Sequence, residues 1–472
     1  MFNEVKYFSN DTIYALSTPA GGAIAVTRVS GPLVPFIYEK LTINKKKEHR
    51  VAKNIKIVSQ NGETIDDALL IFFESPKSFT GEDLLEIHSH GSPAVIENIH
   101  KALSFYGARQ AIAGEFSFRS VKSGKQTILQ AQAVSELIAA QNNDAASIAL
   151  DKMAGYQNKI IEEISYNLKN LVARSELGID FSDQDVEELS LPVLKKHTDV
   201  VIDKLKMLAD SFNRGEKIQE GFKTAFIGLP NAGKSSFFNA ILGEERAIVS
   251  EVPGTTRDII HEKITLRGRL NEEEKQITLR IEDTAGIRKT NDKIEQLGIQ
   301  KSLKSIHQSD LIIWVIDISS LILQQEELMR LHTEIKNALD KVVVVFNKID
   351  QATAQSEQLK QEFLVKIGLQ PKRASDVSSK SGEGIESFIQ ILLQQMAHMT
   401  HRTPGEVIIT KKSQFESIQK AVRYLEQALQ ANEEDLFAAD IRHALHEIGQ
   451  IIGQTLPDDI LAQIFSEFCI GK

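Results

Sequence analysis

TAFIGLPNAGKSSFFNAIL, Thr224 to Leu242, is the stretch on which the fold turns. A short apolar run leads into Gly228, Gly233, Lys234 and Ser235 in the spacing G-x-x-x-x-G-K-[ST], and an amphipathic run follows. Strand, glycine-rich turn and helix in that order place backbone N–H groups around phosphates at a helix N-terminus. Lys234 is positioned to reach the β and γ oxygens, and Ser235 to ligate magnesium.

Downstream motifs extend this site. Asp283 ends the apolar strand QITLRIEDTAG, where a carboxylate near the magnesium and the Gly286 amide facing a γ-phosphate belong. Between the two lies VPGTTRD, in which Thr255 or Thr256 can close on the metal as a switch loop. NKID, Asn347 to Asp350, follows the buried run VVVVF. Its aspartate can accept from N1–H and the 2-amino group of guanine, and adenine offers neither donor there. Such buried pairing discriminates by about 10⁴-fold. Ser378, Ser379 and Lys380 would complete the base pocket. The nucleotide contacts expected are therefore Asn231, Ala232, Gly233, Lys234, Ser235 and Ser236, then Ser250, Glu251, Val252, Pro253, Gly254, Thr255 and Thr256. Asp283, Thr284, Ala285 and Gly286 follow, then Asn347, Lys348, Ile349, Asp350 and the 378–380 triplet. The position after D-x-x-G, where Ras-like GTPases orient water with glutamine, is Ile287, which cannot do so. The Asn231 side chain and carbonyls of 250–256 could instead hold a monovalent cation.

Outward from this block, alternating strands and helices over Lys223 to about Met399 predict an α/β domain on a mainly parallel sheet. From Asp11 to about Ser89 the chain reads as short β-rich runs, TIYALS, AIAVTRVS, NIKIVS, ALLIFFE and LLEIHSH, with a hairpin turn at Asn61-Gly62 and a helix from Pro93 to near Gly107. That is a small α+β domain. The proline-free stretch to Pro192 and the segments Ser413 to Leu429, Leu436 to Ile452 and Asp458 to Phe468 read as helices. Two helical stretches flanking an α/β block suggest one helical domain interrupted by an insertion.

Composition bounds the partners. The 472 residues exceed what one core supports, and the length predicts about three domains. A net charge of −9 excludes a protein-wide field for nucleic acid but leaves room for a local one. Lys40 to Lys56 carries seven Lys or Arg against Glu48, either such a patch or a solvated loop. One cysteine, no leader-like start and no long apolar run point to the cytoplasm and away from a membrane. His88 and His90 share a strand face, but no third metal ligand accompanies them.

Taken together, the motifs resemble the bacterial tRNA modification GTPase family MnmE, also called TrmE. Besides GLPNAGKSS, GTTRD, DTAG and NKID, the matching stretches are TRVSG (27–31), SFTGEDLLEIHSHG (78–91), GEFSFRSVKSGK (114–125), IDFSDQDV (179–186) and FCIGK (468–472). The resemblance implies an N-terminal folate-binding and dimerisation domain over 1–122, a helical domain over 123–218 and 399–472, and a GTPase domain inserted at 219–398. It implies magnesium on Ser235 and Thr256, and potassium on Asn231, Ser250, Val252 and Thr255. Glu295 in KIEQLG maps onto the water-positioning glutamate, beside Thr256 and Asn231 as catalytic groups. Arg28, Glu86, Lys125 and Lys472 map onto contacts to a tetrahydrofolate derivative, in its 5,10-methylene or 5-formyl form. Cys469 would sit near the one-carbon donor, as a nucleophile or as a small buried hydrophobe. The implied assembly is a homodimer that joins MnmG (GidA), a partner carrying FAD and using NADH, in a heterotetramer or larger complex. Together they act on C5 of the wobble uridine of tRNA. This chain has SHGS where GHGG is usual, KQTILQAQA for K-x-D-L-x-Q-A-E-A, and Ser379 in place of alanine. The competing expectation is a regulatory or ribosome-assembly switch of the same superfamily, without one-carbon chemistry.

Overall fold

The computed structural model describes residues 10–19, 21–180, 190–243, 247–250, 262–270, 272–281, 308–403, 405–454, 464–466, 468 and 471. The chain divides into two compact units: residues 1–138, 149–206 and 416–472 form one, and 139–148 with 207–415 the other.

The first unit is built on a six-stranded sheet with order β3-β4-β5-β2-β1-β6, from β1 (Ile13–Leu16), β2 (Ile24–Ser30), β3 (Ala52–Val58), β4 (Thr64–Phe73), β5 (Leu84–His90) and β6 (Arg109–Gln110). All pairings are antiparallel except β1 with β6. The five predicted β-rich runs all form strands. Gly62, at φ +82°, makes the β3–β4 turn with Ser59 N–H donating to the Glu63 carbonyl. Alternation sends Tyr14, Val29, Ala68, Leu70 and Ile87 to one face, where α1 (Val34–Leu41) and α2 (Pro93–Phe105) cover them. Ile13 and Ala15 point the other way, against Ala111 and Phe116.

Helix α1 interrupts a region that reads as β throughout. Pro35 in its first turn and Val34, Ile37, Tyr38 and Leu41 at helical spacing, all buried, explain it. Arg119, 5 % exposed, ties the front of β1 to α3 (Glu115–Lys122): it donates to the Asp11 carbonyl and carboxylate, to Glu82 and to the fully buried Glu115. These acids hold its guanidinium firmly charged despite the burial that opposes charge. The GEFSFRS stretch is thus a frame for the sheet. Long helices α6 (Tyr156–Asp180) and α14 (Glu434–Ile452) pack together in the same unit.

The second unit carries a seven-stranded sheet, order β13-β12-β11-β7-β10-β9-β8. Strands β7 (Phe222–Ile227), β10 (Glu273–Ile281), β11 (Leu311–Asp317), β12 (Val342–Asn347) and β13 (Ala374–Val377) run parallel, and β8 (Ala247–Ser250) and β9 (Glu262–Leu270) extend one edge antiparallel. LIIWVID and VVVVFN are buried on both faces, as an α/β sheet requires. Leu311, Ile313 and Val315 meet Phe237 and Phe388 on one side. Ile312, Trp314 and Ile316 meet Phe363 on the other. Chain order reverses at β7, whose sheet neighbours are β11 and β10, and ligands of open α/β sheets bind beyond the strand carboxyl ends at such a point. Among the described residues no helix is long and apolar enough to cross a membrane.

Candidate functional sites

The loop after β7 has the shape a phosphate cradle needs. Gly228 has φ +148°, and a Cβ there would stand 2.2 Å from the Val315 carbonyl oxygen. Gly233 has φ +88°, and its Cβ would meet Asn347 Nδ2 at 2.2 Å. No side chain fits at either position. Asn231 is left-handed as well, at φ +62°, and exposed, whereas Ala232 is buried. Helix α9 (Lys234–Leu242) begins directly behind, with Ser235 and Ser236 in its first turn. The Lys234 ammonium donates to the carbonyls of Gly228 at 2.8 Å and Leu229 at 3.0 Å, across the mouth of the loop.

The base side is bolted to this loop by Asn347, 1 % exposed. Its Nδ2 donates to the Ala232 carbonyl at 3.1 Å, and its Oδ1 accepts from the Lys348 amide at 2.8 Å and the Ser379 amide at 3.1 Å. The Ser379 hydroxyl adds a further bond to the same oxygen, 2.8 Å long, which alanine could not make. Asp350 lies exposed with Oδ1 accepting from the buried Ser378 hydroxyl at 2.8 Å. That bond fixes the carboxylate and leaves its second oxygen toward solvent for a base. Ile349 follows in the turn and Lys380 is exposed.

Lys348, left-handed at φ +64°, donates to Asp317 Oδ2 at 2.6 Å and to the Asn231 carbonyl at 2.9 Å. Asp317 was not among the residues expected. Burial pushes its carboxyl up, but the Lys348 ammonium and the Ser319 donors outweigh this and hold it below the ordinary carboxylate range. The signal for it was the acid closing LIIWVID, at the same edge as Asn347 closing VVVVFN: Asp317 and Asn347 are register partners.

Ser250 ends β8 opposite Lys263. The remaining nucleotide, metal and catalytic candidates, Glu251, Val252, Pro253, Gly254, Thr255, Thr256, Asp283, Thr284, Ala285, Gly286 and Glu295, lie outside the described residues, as do Cys469 and Lys472.

In the first unit a second constellation forms on the Ile13/Ala15 face. Arg28 and Glu86 are register partners, and Arg28 Nε donates to Glu86 Oε1 at 2.9 Å. His88 Nε2 is 3.2 Å from Glu86 Oε2. His90 turns instead to Asp66, 2.8 Å from its Nδ1, so the two histidines serve different acids. A relay from β2 ends two residues short of Lys125: Ser30 bonds Thr80 at 2.7 Å, and the Ser123 hydroxyl donates to the Thr80 carbonyl at 2.7 Å. Gly81 (φ +80°) lies under that loop; a Cβ there would press on Ser123 Oγ at 2.8 Å and reach the Lys125 Cε at 3.6 Å. A cavity of about 480 Å³ lined by Tyr14, Ile96 and His100 lies on the opposite face, between β1 and α2, away from Arg28 and Glu86.

The far end of the chain returns to this sheet. Phe465 meets Phe118 edge to face and Phe468 packs against Phe465 at a tilt, and the Phe465 carbonyl lies so close to Gly114 that a Cβ there would be 2.2 Å away. Ser17, just past β1, donates its hydroxyl to the Gly471 carbonyl at 3.0 Å. Gly471 has φ +92°, and a Cβ would strike the Leu16 oxygen at 2.5 Å. Leu16 adjoins Ala15, the register partner of Arg28.

A phosphate loop at the switch point of a parallel sheet, tied by Asn347 to a guanine-type reader, defines a GTP-binding protein of the P-loop class. Two family models match, one described as the MnmE helical domain over residues 128–469 and one as the GTP-binding protein TrmE N-terminus over 12–125. The tRNA modification GTPase MnmE of Christiangramia forsetii is 35% identical over 98% of this chain and 99% of its own length. That of Aquifex aeolicus is 34% identical over 98% of this chain and 100% of its own length. The chain belongs to the MnmE family of tRNA modification GTPases. Among solved structures, a GTP-binding protein from Sulfolobus solfataricus in complex with GDP is similar at 16% identity and a TM-score of 0.26, covering 65% of this chain and 78% of that one.

Proposed function

We propose that this chain is a potassium-dependent GTPase that, with a flavoprotein partner, modifies C5 of the wobble uridine of tRNA using a folate one-carbon unit. The observation that carries the reading is the coexistence, in one chain, of the Asn347-braced nucleotide loop and the Arg28–Glu86 pair with the Gly471 segment beside it. A regulatory switch has no use for the second.

The Arg28–Glu86 pair fits a pterin. Glu86 gives one oxygen to Arg28 and the other to His88, and each retains a lone pair for the amide and amino edge of a pterin ring. Arg28 spends only Nε on Glu86, which leaves its terminal nitrogens for a carbonyl or glutamyl carboxylate. Lys125 adds a cation from the neighbouring loop, and Lys472 and Cys469 complete the proposed set. When bound, the folate supplies the one-carbon unit; Arg28, Glu86 and Lys125 orient it.

At the nucleotide site Ser235 and Thr256 would hold magnesium, which neutralises phosphate charge. Asn231, Ser250, Val252 and Thr255 would hold potassium, whose charge takes the place of an arginine finger. The left-handed, exposed Asn231 suits that task, since its side chain is not spent inside the loop. Glu295 would position water. Exchanging K⁺ for Na⁺ is expected to cut the rate of phosphate release from GTP at least tenfold; equal rates in the two salts would remove potassium from the mechanism.

The reading extends to a cytoplasmic homodimer joined to an FAD-bearing, NADH-using partner, with segments 1–122, 123–218, 219–398 and 399–472 as folate-binding, helical, GTPase and helical parts. Its test is deletion of the gene. Mass spectrometry of bulk tRNA should then show the wobble-uridine modification missing and restored by a plasmid copy, and an unchanged nucleoside profile would end the proposal.

A further inference from the structure

Helices α1 and α2 complete their core without two of their largest residues. Val34, Ile37, Leu41, Ile99, Ala102 and Leu103 are fully buried, yet Phe36 on α1 is 44% exposed and Phe105 at the end of α2 is 67% exposed. Both rings reach Tyr106, Phe36 at 6.1 Å and Phe105 at 5.4 Å between centroids, each edge to face. The three make a continuous aromatic strip, with Phe36 and Phe105 exposed and Tyr106 half-buried against the core between them. Lys40, one turn beyond Phe36, places its ammonium 5.4 Å from the Phe36 ring centre.

The strip meets the basic run Lys40 to Lys56 at Lys40. Of its seven cations, Lys47 pairs with Glu39 and Lys53 with Glu48. Lys53 also donates to the Lys46 carbonyl, and Tyr38 OH on α1 does the same, which holds the loop against the helix. Lys40, Lys45, Lys46 and Arg50 are exposed; Lys46 helps to draw the Glu48 carboxyl down, while Lys40, Lys45 and Arg50 have no carboxylate within ion-pair distance among the described residues. A solvated loop needs no exposed aromatic strip beside it, and a protein-protein patch would shed the lysines. Stacking faces plus unpaired cations are what single-stranded nucleic acid binds: bases stack on rings and phosphates meet ammonium groups.

We infer that the Phe36–Phe105–Tyr106 strip, with Lys40, Lys45 and Lys46, is where this chain grips an unpaired segment of tRNA. The inference rests on the proposed function for the choice of RNA over other polyanions. Although the whole chain is acidic, the surface it would use is local and cationic.

The test uses the full chain and an unmodified tRNA transcript, with a blunt RNA duplex as control. Replacing Lys40, Lys45 and Lys46 by glutamate should weaken tRNA binding at least tenfold at 0.1 M salt. Because each lost phosphate contact on a single strand removes roughly 0.7 from the slope of log affinity against log salt, that slope should flatten by about two. Phe105→Ser should weaken tRNA roughly 5- to 100-fold and leave the duplex unaffected. GTP hydrolysis, measured alongside, should be unchanged in both variants, and an unchanged circular-dichroism spectrum and thermal melt of the full chain show that the first unit folds. Affinity within twofold of the parent, no tRNA binding by the parent, or equal loss on the duplex would each overturn the inference. So would binding to phosphatidylglycerol vesicles in place of tRNA, or dissociation of a dimer on Phe105→Ser. None of these results touches the gene-deletion test: modification can depend on the gene while this strip plays no part.

Discussion

Asp350→Asn is expected to lower the affinity for GTP by about 10⁴-fold. The carboxylate is presented with one oxygen fixed by the Ser378 hydroxyl and the other open, so two guanine donors, N1–H and the 2-amino group, meet acceptors already in place. An amide at the same position turns an N–H₂ toward one of those donors and strands it. A xanthine base, carrying an oxygen where guanine has its 2-amino group, regains a match. Competition titrations with a fluorescent nucleotide should therefore show GTP displaced by XTP in the variant and the reverse in the parent. Undiminished GTP affinity would mean that the base is read elsewhere. Asn347 is unsuitable for this experiment, because its amide also holds Ala232, and substitution would dismantle the phosphate loop along with the pocket.

Gly471→Val should separate the two activities. A Cβ at this residue has 2.5 Å to the Leu16 oxygen, and φ +92° is a conformation that β-branched residues rarely adopt. The segment must lift from β1, losing the Ser17 bond, while Phe465 and Phe468 keep it near Phe118. With the folate site proposed beside β1, modification of the wobble uridine should fall below detection in a strain carrying only the variant. GTP hydrolysis by the purified protein should stay within about twofold of the parent, since surface and terminal changes away from a site shift its energetics little. Removal of Ile470 to Lys472 should give the same pattern. Retained modification would show that the docked segment is packing alone.

What could be read ahead of the structure depended on how local the physics was. The strands LIIWVID and VVVVFN announce themselves because burial on both faces demands an unbroken apolar run, and the phosphate loop because its glycines are sterically compelled. The pairs that frame the first sheet were invisible for the opposite reason: Arg109 and Arg119 find Asp11 across sequence separations of 98 and 108. Helix α1 was hidden by its β-branched and aromatic composition, and with it the exposure of Phe36. Asp317 joins Lys348 only once β11 and β12 lie side by side. The tail was marked by its resemblance to a family motif, and its docking surface, Leu16 and Ser17, by nothing in the local sequence.

The hydrogen bond from Ser17 to Gly471 spans 454 residues of chain. Seen on the ribosome, this bond sets an order of assembly. Strands β1 to β6 emerge within the first 110 residues and can pair at once, but the ground beside β1 stays bare while the nucleotide-binding unit is translated. A nascent or prematurely terminated chain would therefore acquire the means to bind nucleotide before the proposed one-carbon site could close. Truncated products would hold nucleotide without the segment that docks beside β1.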